Sequence, residues 1–514
     1  MSFLQSWKKT ARLYVKSKIG MIGLIVIVFF ILLAVFSAQL APNNPVTDFD
    51  VAAPYSVPAW ATIFPQYSNL AITSNPIETV FANPAALAGW TTSGQNFTTR
   101  NVNGTLLVNA SIVPNQKIMN DNLKGHPDNK NLPGGQVFFS MSKQFQYNTK
   151  PPTAFTLNTV ITPLEMTNVS DIYVNFIISN PTGNYSLASV QGYTLSSEID
   201  IPSSELGQPT MVNVSSGYLT SSGLSAFGNT GDPAGLIFNG TGTYTLTMQI
   251  QAVPIANGSS ISMLASGVNL HVLGGAFGLL GTDNYGRDVW SQFVWGSRIS
   301  LLIGILSGIG AVALGTIAGL AAGYVGGLSD EVLSRISDFF LVIPFLPLLI
   351  VLLFIIGQNP VLYRGVYWWV ILLFIVLSWP FIGKIIRSQV LTVKERSYVE
   401  ASRAVGGGTW HILRKHILPN VMGLVYSQIA LNVSGFILTE AALDFLAVSI
   451  HPIDTITWGI MLTNALPDAT SNSAASYVWW WFLPPGIAIA SLSLAFVLVG
   501  FALDSIFNPR LRAR

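Results

Sequence analysis

Cysteine is absent from all 514 residues. That excludes disulfides, thiolate metal sites, iron–sulfur clusters and cysteine nucleophiles. Charge is scarce as well. Charged residues make up 9% of the chain, against about 25% in an ordinary soluble domain. Lys and Arg (25) barely exceed Asp and Glu (23), so no basic excess points to nucleic acid. There is no Gly-x4-Gly-Lys-Ser/Thr loop to cradle nucleotide phosphates. His411 and His416 are five apart, not the four of a helical zinc pair, so no metal site is expected. What the chain has in excess is apolar surface: half of it is hydrophobic, and the mean hydropathy is +0.51. It reads as a membrane protein.

A bilayer core of about 30 Å takes roughly 20 apolar helical residues. Six stretches qualify: 19–41, then about 299–324, 339–356, 366–382, 421–439 and 477–503. The first follows Lys8, Lys9, Arg12, Lys16 and Lys18. Its apolar run is longer than a signal-peptide core, so it reads as a retained anchor, with cleavage as the alternative. Pro344, Pro347 and Pro380 predict kinks. Six spans put both termini on one side. The N-terminus, the loop near Arg335, the stretch 384–418 and the C-terminus (Arg510, Arg512, Arg514) hold most of the Lys and Arg, which predicts a cytoplasmic location for them. Trp479, Trp480 and Trp481, with Trp368 and Trp369, read as interfacial anchors.

The stretch 42–275 differs from the rest. It is rich in Ser, Thr, Asn, Gly and Pro, and runs such as Asp171–Ile178 and Thr243–Ile250 alternate polar with apolar residues. These predict strands with one wet face, gathered into a β-sandwich-like domain on the outer side. It holds eight Asn-x-Ser/Thr sites, at Asn96, Asn103, Asn109, Asn168, Asn184, Asn213, Asn239 and Asn257. About five would arise by chance from this composition, so the count alone does not establish glycosylation. Asn432-Val-Ser falls in a span and is expected to be unmodified.

The segment Glu400-Ala-Ser-Arg-Ala-Val-Gly-Gly-Gly-Thr-Trp-His-Ile-Leu-Arg-Lys-His-Ile-Leu-Pro-Asn420 reads as helix, glycine break, helix and proline stop. Gly406–Gly408 end the first helix, Thr409 is expected to cap the second, and Pro419 to close it. A compact helix–turn–helix on a cytoplasmic loop suits a groove on a soluble partner. Without a partner it would be an amphipathic helix at the membrane surface.

This segment resembles the Glu-Ala-Ala…Gly…Leu-Pro loop of binding-protein-dependent ABC importers, in the dipeptide/oligopeptide permease branch. Further stretches are similar to that branch: Gly281–Asp288 with Trp295–Leu301, Ile437–Leu446, Trp458–Met461, Pro484–Gly486 and Asn508–Arg510. Together they cover about 1–42 and 275–514. Ser402, His416, Asp444 and Ala447 depart from the commonest residues at their positions, and the long 42–275 stretch is the large departure.

The resemblance implies an all-α polytopic membrane protein of six transmembrane helices, an ABC importer type I permease, with an inserted mainly-β extracytoplasmic domain. Its parts would be a cytoplasmic N-terminus 1–18, a first helix 19–41, the insertion 42–275 and an outer-face elbow 276–298. A five-helix core 299–505 would carry the coupling loop 394–419, and 506–514 would be a cytoplasmic tail. The coupling residues would be Glu400, Ala401, Ser402, Gly406, Trp410, His416, Leu418 and Pro419. The family implies a second homologous permease subunit, two ATPase subunits that bind ATP and Mg, an extracytoplasmic binding protein and membrane lipids as partners. The chain itself would bind no cofactor and be no enzyme.

Two weaker signals remain. Glu440 and Asp444 are one helical turn apart at the end of the fifth span. They suit a polar gate on the pathway, or they are solvated at the interface or paired with Arg287 or Arg298. Asp283, Gly286, Arg287 and Asp288 suit a capped, salt-bridged elbow better than a carboxylate catalytic pair, because no histidine or metal set accompanies them. Two other functions stay open. A membrane-anchored surface glycoprotein would not need the 400–419 loop. An ion-coupled secondary transporter would need inverted repeats and paired intramembrane charges.

Overall fold

The computed structural model describes residues 13–49, 51–81, 87–94, 96–113, 136–181, 183–186, 189–190, 193–194, 199–202, 206–216, 233–363, 365–446, 455–470 and 478–507. Lys8, Lys9, Arg12, Ala447, Asn508, Arg510, Arg512 and Arg514 lie outside them, and so does the side chain of Asn213. The chain divides into two compact units, Asp50–Arg287 and Met1–Phe49 with Asp288–Arg514.

The second of these is helical. Its main helices are α1 Lys18–Val35, α2 Val289–Leu320, α3 Gly327–Val342, α4 Phe345–Gly357, α5 Val366–Lys394, α6 Ser397–Ala404, α7 Thr409–Ile412, α8 Leu418–Phe445, α9 Trp458–Thr470 and α10 Trp479–Phe507. Among the described residues five helical runs are long and apolar enough to cross a membrane, or six if the bent pair α3 and α4 makes one span. The third apolar stretch is therefore not the straight helix expected over 339–356. It breaks by 85° between α3 and α4. Pro344 forces Ile343 into extended backbone (φ −79°, ψ 128°) and cannot donate to the turn before it. The second stretch starts ten residues earlier than its apolar core. Asp288 caps α2 by accepting from the Trp290 N–H at 3.0 Å, so 289–298 are helical and continuous with the span.

Small residues let these helices approach closely. A Cβ added at Gly308 of α2 would lie 2.3 Å from the Val433 Cγ2 of α8, and one at Gly319 would lie 2.8 Å from the Gly383 carbonyl oxygen of α5. Ion pairs join α3 to α5. Asp330 accepts from the Arg387 Nε and Nη2 at 2.5 and 2.7 Å, and Lys384 donates to Asp338.

The first unit is a sandwich of two antiparallel sheets. One runs Thr210–Ser215, Ala154–Thr167, Ser259–Leu273, Thr105–Ile112, Phe97–Val102, with Ser74–Val80 also paired to Ser259–Leu273. The other runs Ile199–Pro202, Val169–Asn180, Gly242–Pro254, Gln136–Tyr147, Trp90–Gly94, with Gly183–Ser186 paired to Val169–Asn180. Leu106, Leu157, Val174, Leu246 and Met248 from both sheets meet in one apolar core. The alternation read in Thr243–Ile250 appears directly: Leu246, Met248 and Ile250 are buried while Thr245, Thr247 and Gln249 are half-buried. The two chain connections of this unit lie side by side at its base. The Val51 N–H donates to the Gly286 carbonyl at 3.0 Å, Tyr55 to Asp283 at 3.0 Å and Val57 to Gly275 at 2.9 Å. Ser56, fully enclosed there, donates through Oγ to the Gly274 carbonyl at 2.8 Å.

Candidate functional site

The segment 397–420 is built on three buried apolar anchors, Val399, Ile412 and Ile417. Around them the surface is exposed, including Glu400, Ala401, Gly406 and Pro419, while Ser402, His416 and Leu418 are half-buried. Helix α6 ends in a glycine cap. Gly406 takes φ +89°, its N–H donates to the Arg403 carbonyl at 3.0 Å, and that of Gly407 donates to the Ser402 carbonyl at 2.9 Å. This turn pushes two apolar side chains outward, Val405 at 89% and Trp410 at 74% exposure. Apolar groups held out in this way, over anchors that fix the backbone, are the form of a docking knob. Arg403 lies over the Tyr324 ring at 6.0 Å, linking α6 to the end of the α2 run.

Two details differ from the sequence reading. Gly408, not Thr409, occupies the cap position of α7. And Pro419 does not stop a helix: α7 continues through a π-turn, Leu413–Ile417, into α8. Pro419 follows the π-turn directly, and that local change of hydrogen-bond pattern lets the helix tolerate its missing N–H. The π-turn also changes the histidine geometry. An i→i+5 turn brings His411 and His416 onto one face, with ring centroids 6.0 Å apart, and Tyr398 lies 6.1 Å from His416. Among the described residues no group of three His, Cys, Asp or Glu gathers to hold a metal.

Glu440 and Asp444 are each 2% exposed. They are not solvated, and the arginines suggested for them are engaged elsewhere: Arg287 bonds Asp283 at 2.7 Å and Arg298 stacks over Trp295. Asp444 accepts from the Thr457 hydroxyl at 2.5 Å, and Glu440 from Ser300 at 3.5 Å. The pair ties α8 to α2 and to the entry of α9. Asp444→Leu should therefore cost about 1–3 kcal/mol, by stranding the Thr457 hydroxyl, whereas Asp444→Asn should keep most of the stability because its amide oxygen can still accept. Thermal unfolding of the two variants in one detergent checks this.

A separate groove of about 480 Å3 opens at the α3–α4 break. Its polar lining is Ser378, Asn432 and Thr439, with Phe340, Phe345 and Phe381 around them. From the sequence Asn432 stood out only as a sequon inside a span, and Ser378 and Thr439 did not stand out. Their signal was available: Asn432 and Thr439 are two turns apart and so fall on one face of α8.

The elbow residues divide as follows. Asp283, fully buried, accepts from Arg287 Nε at 2.7 Å and from the backbone N–H of Tyr285 and Arg287 at 2.8 and 2.9 Å. Gly286 turns there with φ +68°. Asp288 caps α2 and accepts from the Ser291 hydroxyl at 2.6 Å and from Asn43 Nδ2 at 3.3 Å. Burial pushes its carboxyl up, and these donors oppose that shift. Of the tryptophans read as anchors, Trp368 is exposed, but Trp480 and Trp481 are buried among the helices. Their bulk fills the bundle, which an indole can do as readily as it marks an interface. Asn96, Asn103, Asn109, Asn168, Asn184, Asn239 and Asn257 are all exposed, and Asn213 lies in the strand Thr210–Ser215.

Residues 311–513 match the family described as binding-protein-dependent transport system inner membrane component. Residues 6–58 match the N-terminal TM domain of oligopeptide transport permease C. The dipeptide transport system permease protein of Bacillus subtilis (strain 168) is 34% identical over 232 residues, 45% of this chain and 68% of that protein. The oligopeptide transport system permease protein of the same organism is also 34% identical over 232 residues, 45% of this chain and 72% of that protein. Among solved structures, a carbohydrate-binding module studied for mannan recognition matches at 10% identity and a TM-score of 0.22, covering 39% of this chain and 98% of that one. On its motifs, its helices and these relatives, the chain belongs to the dipeptide/oligopeptide branch of the binding-protein-dependent ABC transport permeases.

Proposed function

We propose that this chain is one of two permease subunits through which an ATP-driven importer moves peptides, or oligosaccharides carried by the same branch, into the cell by alternating access. An extracytoplasmic binding protein delivers the substrate. Two ATPase subunits, holding ATP and Mg, dock on the 394–419 loop. Both termini and that loop are cytoplasmic, and 42–275 is outside, where its exposed sequons are open to glycosylation. The observation that carries this reading is the exposed Val405–Trp410 knob over buried Val399, Ile412 and Ile417. A surface anchor has no use for it. The Ser378–Asn432–Thr439 groove offers hydrogen bonds without charge, which suits peptide amides on a pathway. The ATPase is expected to co-purify with the tagged chain from its native membrane and to be lost from Trp410→Ala. Equal recovery with both would remove the docking role.

A further inference from the structure

The base of the β unit carries an apolar face that neither the core nor the proposed transport cycle uses. Trp60 is 43% exposed, Ile63 81%, Phe64 50% and Leu279 55%. The face is rigid. Ala59–Ile63 form a 3-10 turn, Trp60 Nε1 donates to the Leu279 carbonyl at 2.8 Å, and the Trp60 and Phe64 rings meet edge-on at 6.4 Å. The Ala59 N–H donates to the Gly278 carbonyl at 3.0 Å, and Phe277 to Val57 at 2.8 Å, so two distant stretches of chain build one surface.

Its chemistry is selective. Neither 51–77 nor 266–282 contains a Lys, Arg, Asp or Glu. An exposed lysine, Lys150, sits at the rim and donates to the Ser68 carbonyl. Tryptophan with aliphatic and phenyl groups, no charge within and a cation at the edge, is the composition of a membrane-interface surface. Protein-binding patches are enriched in arginine, and neither stretch supplies one. Chain connectivity agrees. Leu279 is ten residues from Val289, where a membrane-crossing run begins, and ten residues reach no more than about 35 Å.

We propose that Trp60, Ile63, Phe64 and Leu279 seat in the headgroup layer of the bilayer, as a membrane contact of the β unit separate from the spans. This rests on the reading of α2 as a transmembrane helix. The natural absence of cysteine makes the test direct, since each introduced cysteine is unique. Ile63→Cys, Leu279→Cys, Asn257→Cys and Ile317→Cys are spin-labelled in the full chain in lipid nanodiscs. Collision with oxygen is compared with collision with a water-soluble nickel chelate. Labels at 63 and 279 are expected to give an oxygen-to-nickel ratio several-fold above that at exposed Asn257. A ratio equal to that at Asn257 puts the face in water and overturns the proposal. Shielding from both reagents means protein covers it and overturns it too. Ile317, 66% exposed on α2, reports lipid if the span reading holds, so failure there identifies that reading rather than this one as the error.

Discussion

Replacing Gly319 with leucine is expected to destabilise the helical bundle severely and to cut the yield of monodisperse protein. The Cβ alone would meet the Gly383 carbonyl oxygen at 2.8 Å and the Ile386 Cβ at 2.8 Å. The first obstacle is backbone, so no rotamer change relieves it, and α2 and α5 must move apart. Their separation would also loosen the neighbouring contact, where Gly315 of α2 meets Ile382 and the Trp379 carbonyl of α5. Overpacking of this kind costs about 3 kcal/mol or more, a large part of a total stability of about 5–15 kcal/mol. Gly357→Ala is the matched control, because nothing lies within 4 Å of its Cβ position. Gel filtration of the two variants after solubilisation, with thermal unfolding of whatever is monodisperse, checks the prediction. A normal peak for Gly319→Leu would mean that the α2–α5 contact is not held in the membrane.

Gly406→Val is expected to do the opposite, sparing the fold and cutting energised uptake about tenfold or more. No atom lies within 4 Å of a Cβ at 406, so there is no collision to unfold the bundle. The cost is conformational. At φ +89° a side chain is strained by about 1–2 kcal/mol, and a β-branched one relaxes by leaving that region. The relaxed turn would no longer hold the Val405 and Trp410 knob in place. A cost of that size corresponds to about tenfold in docking, so uptake into proteoliposomes, with the ATPase and binding protein present, should fall about tenfold or more. Asn, which tolerates the left-handed region, should restore part of it. Full uptake by Gly406→Val would remove the coupling role from this loop.

How legible the chain was depended on the range of the interactions. Strand alternation and apolar runs are local signals, and the Thr243–Ile250 strand and five of the apolar stretches appear as helices or strands near their expected positions. The glycine cap at 406 is local too. What escaped was set by hydrogen-bond patterns and neighbours. The π-turn at 413–417 shifts the periodicity by one residue, which joined His411 to His416 and carried the helix past Pro419. The break at Pro344 depended on three prolines being unequal: Pro344 splits the helix while Pro380 stays inside one. For Glu440 and Asp444 a gate, solvation and an arginine pair all stayed open, because their partners Ser300 and Thr457 are far off or across a loop. Burial of Trp480 and Trp481 was hidden for the same reason.

The paired entry and exit of the β unit have one more consequence. Because Val51 and Gly286 are hydrogen-bonded to each other, some 230 intervening residues impose no separation on the segments that flank them. A hairpin of a few residues would bridge the same gap. Lineages could therefore gain, enlarge or shed such a module with little disturbance to the helical unit, leaving selection free to refashion the one while the other stays as it was.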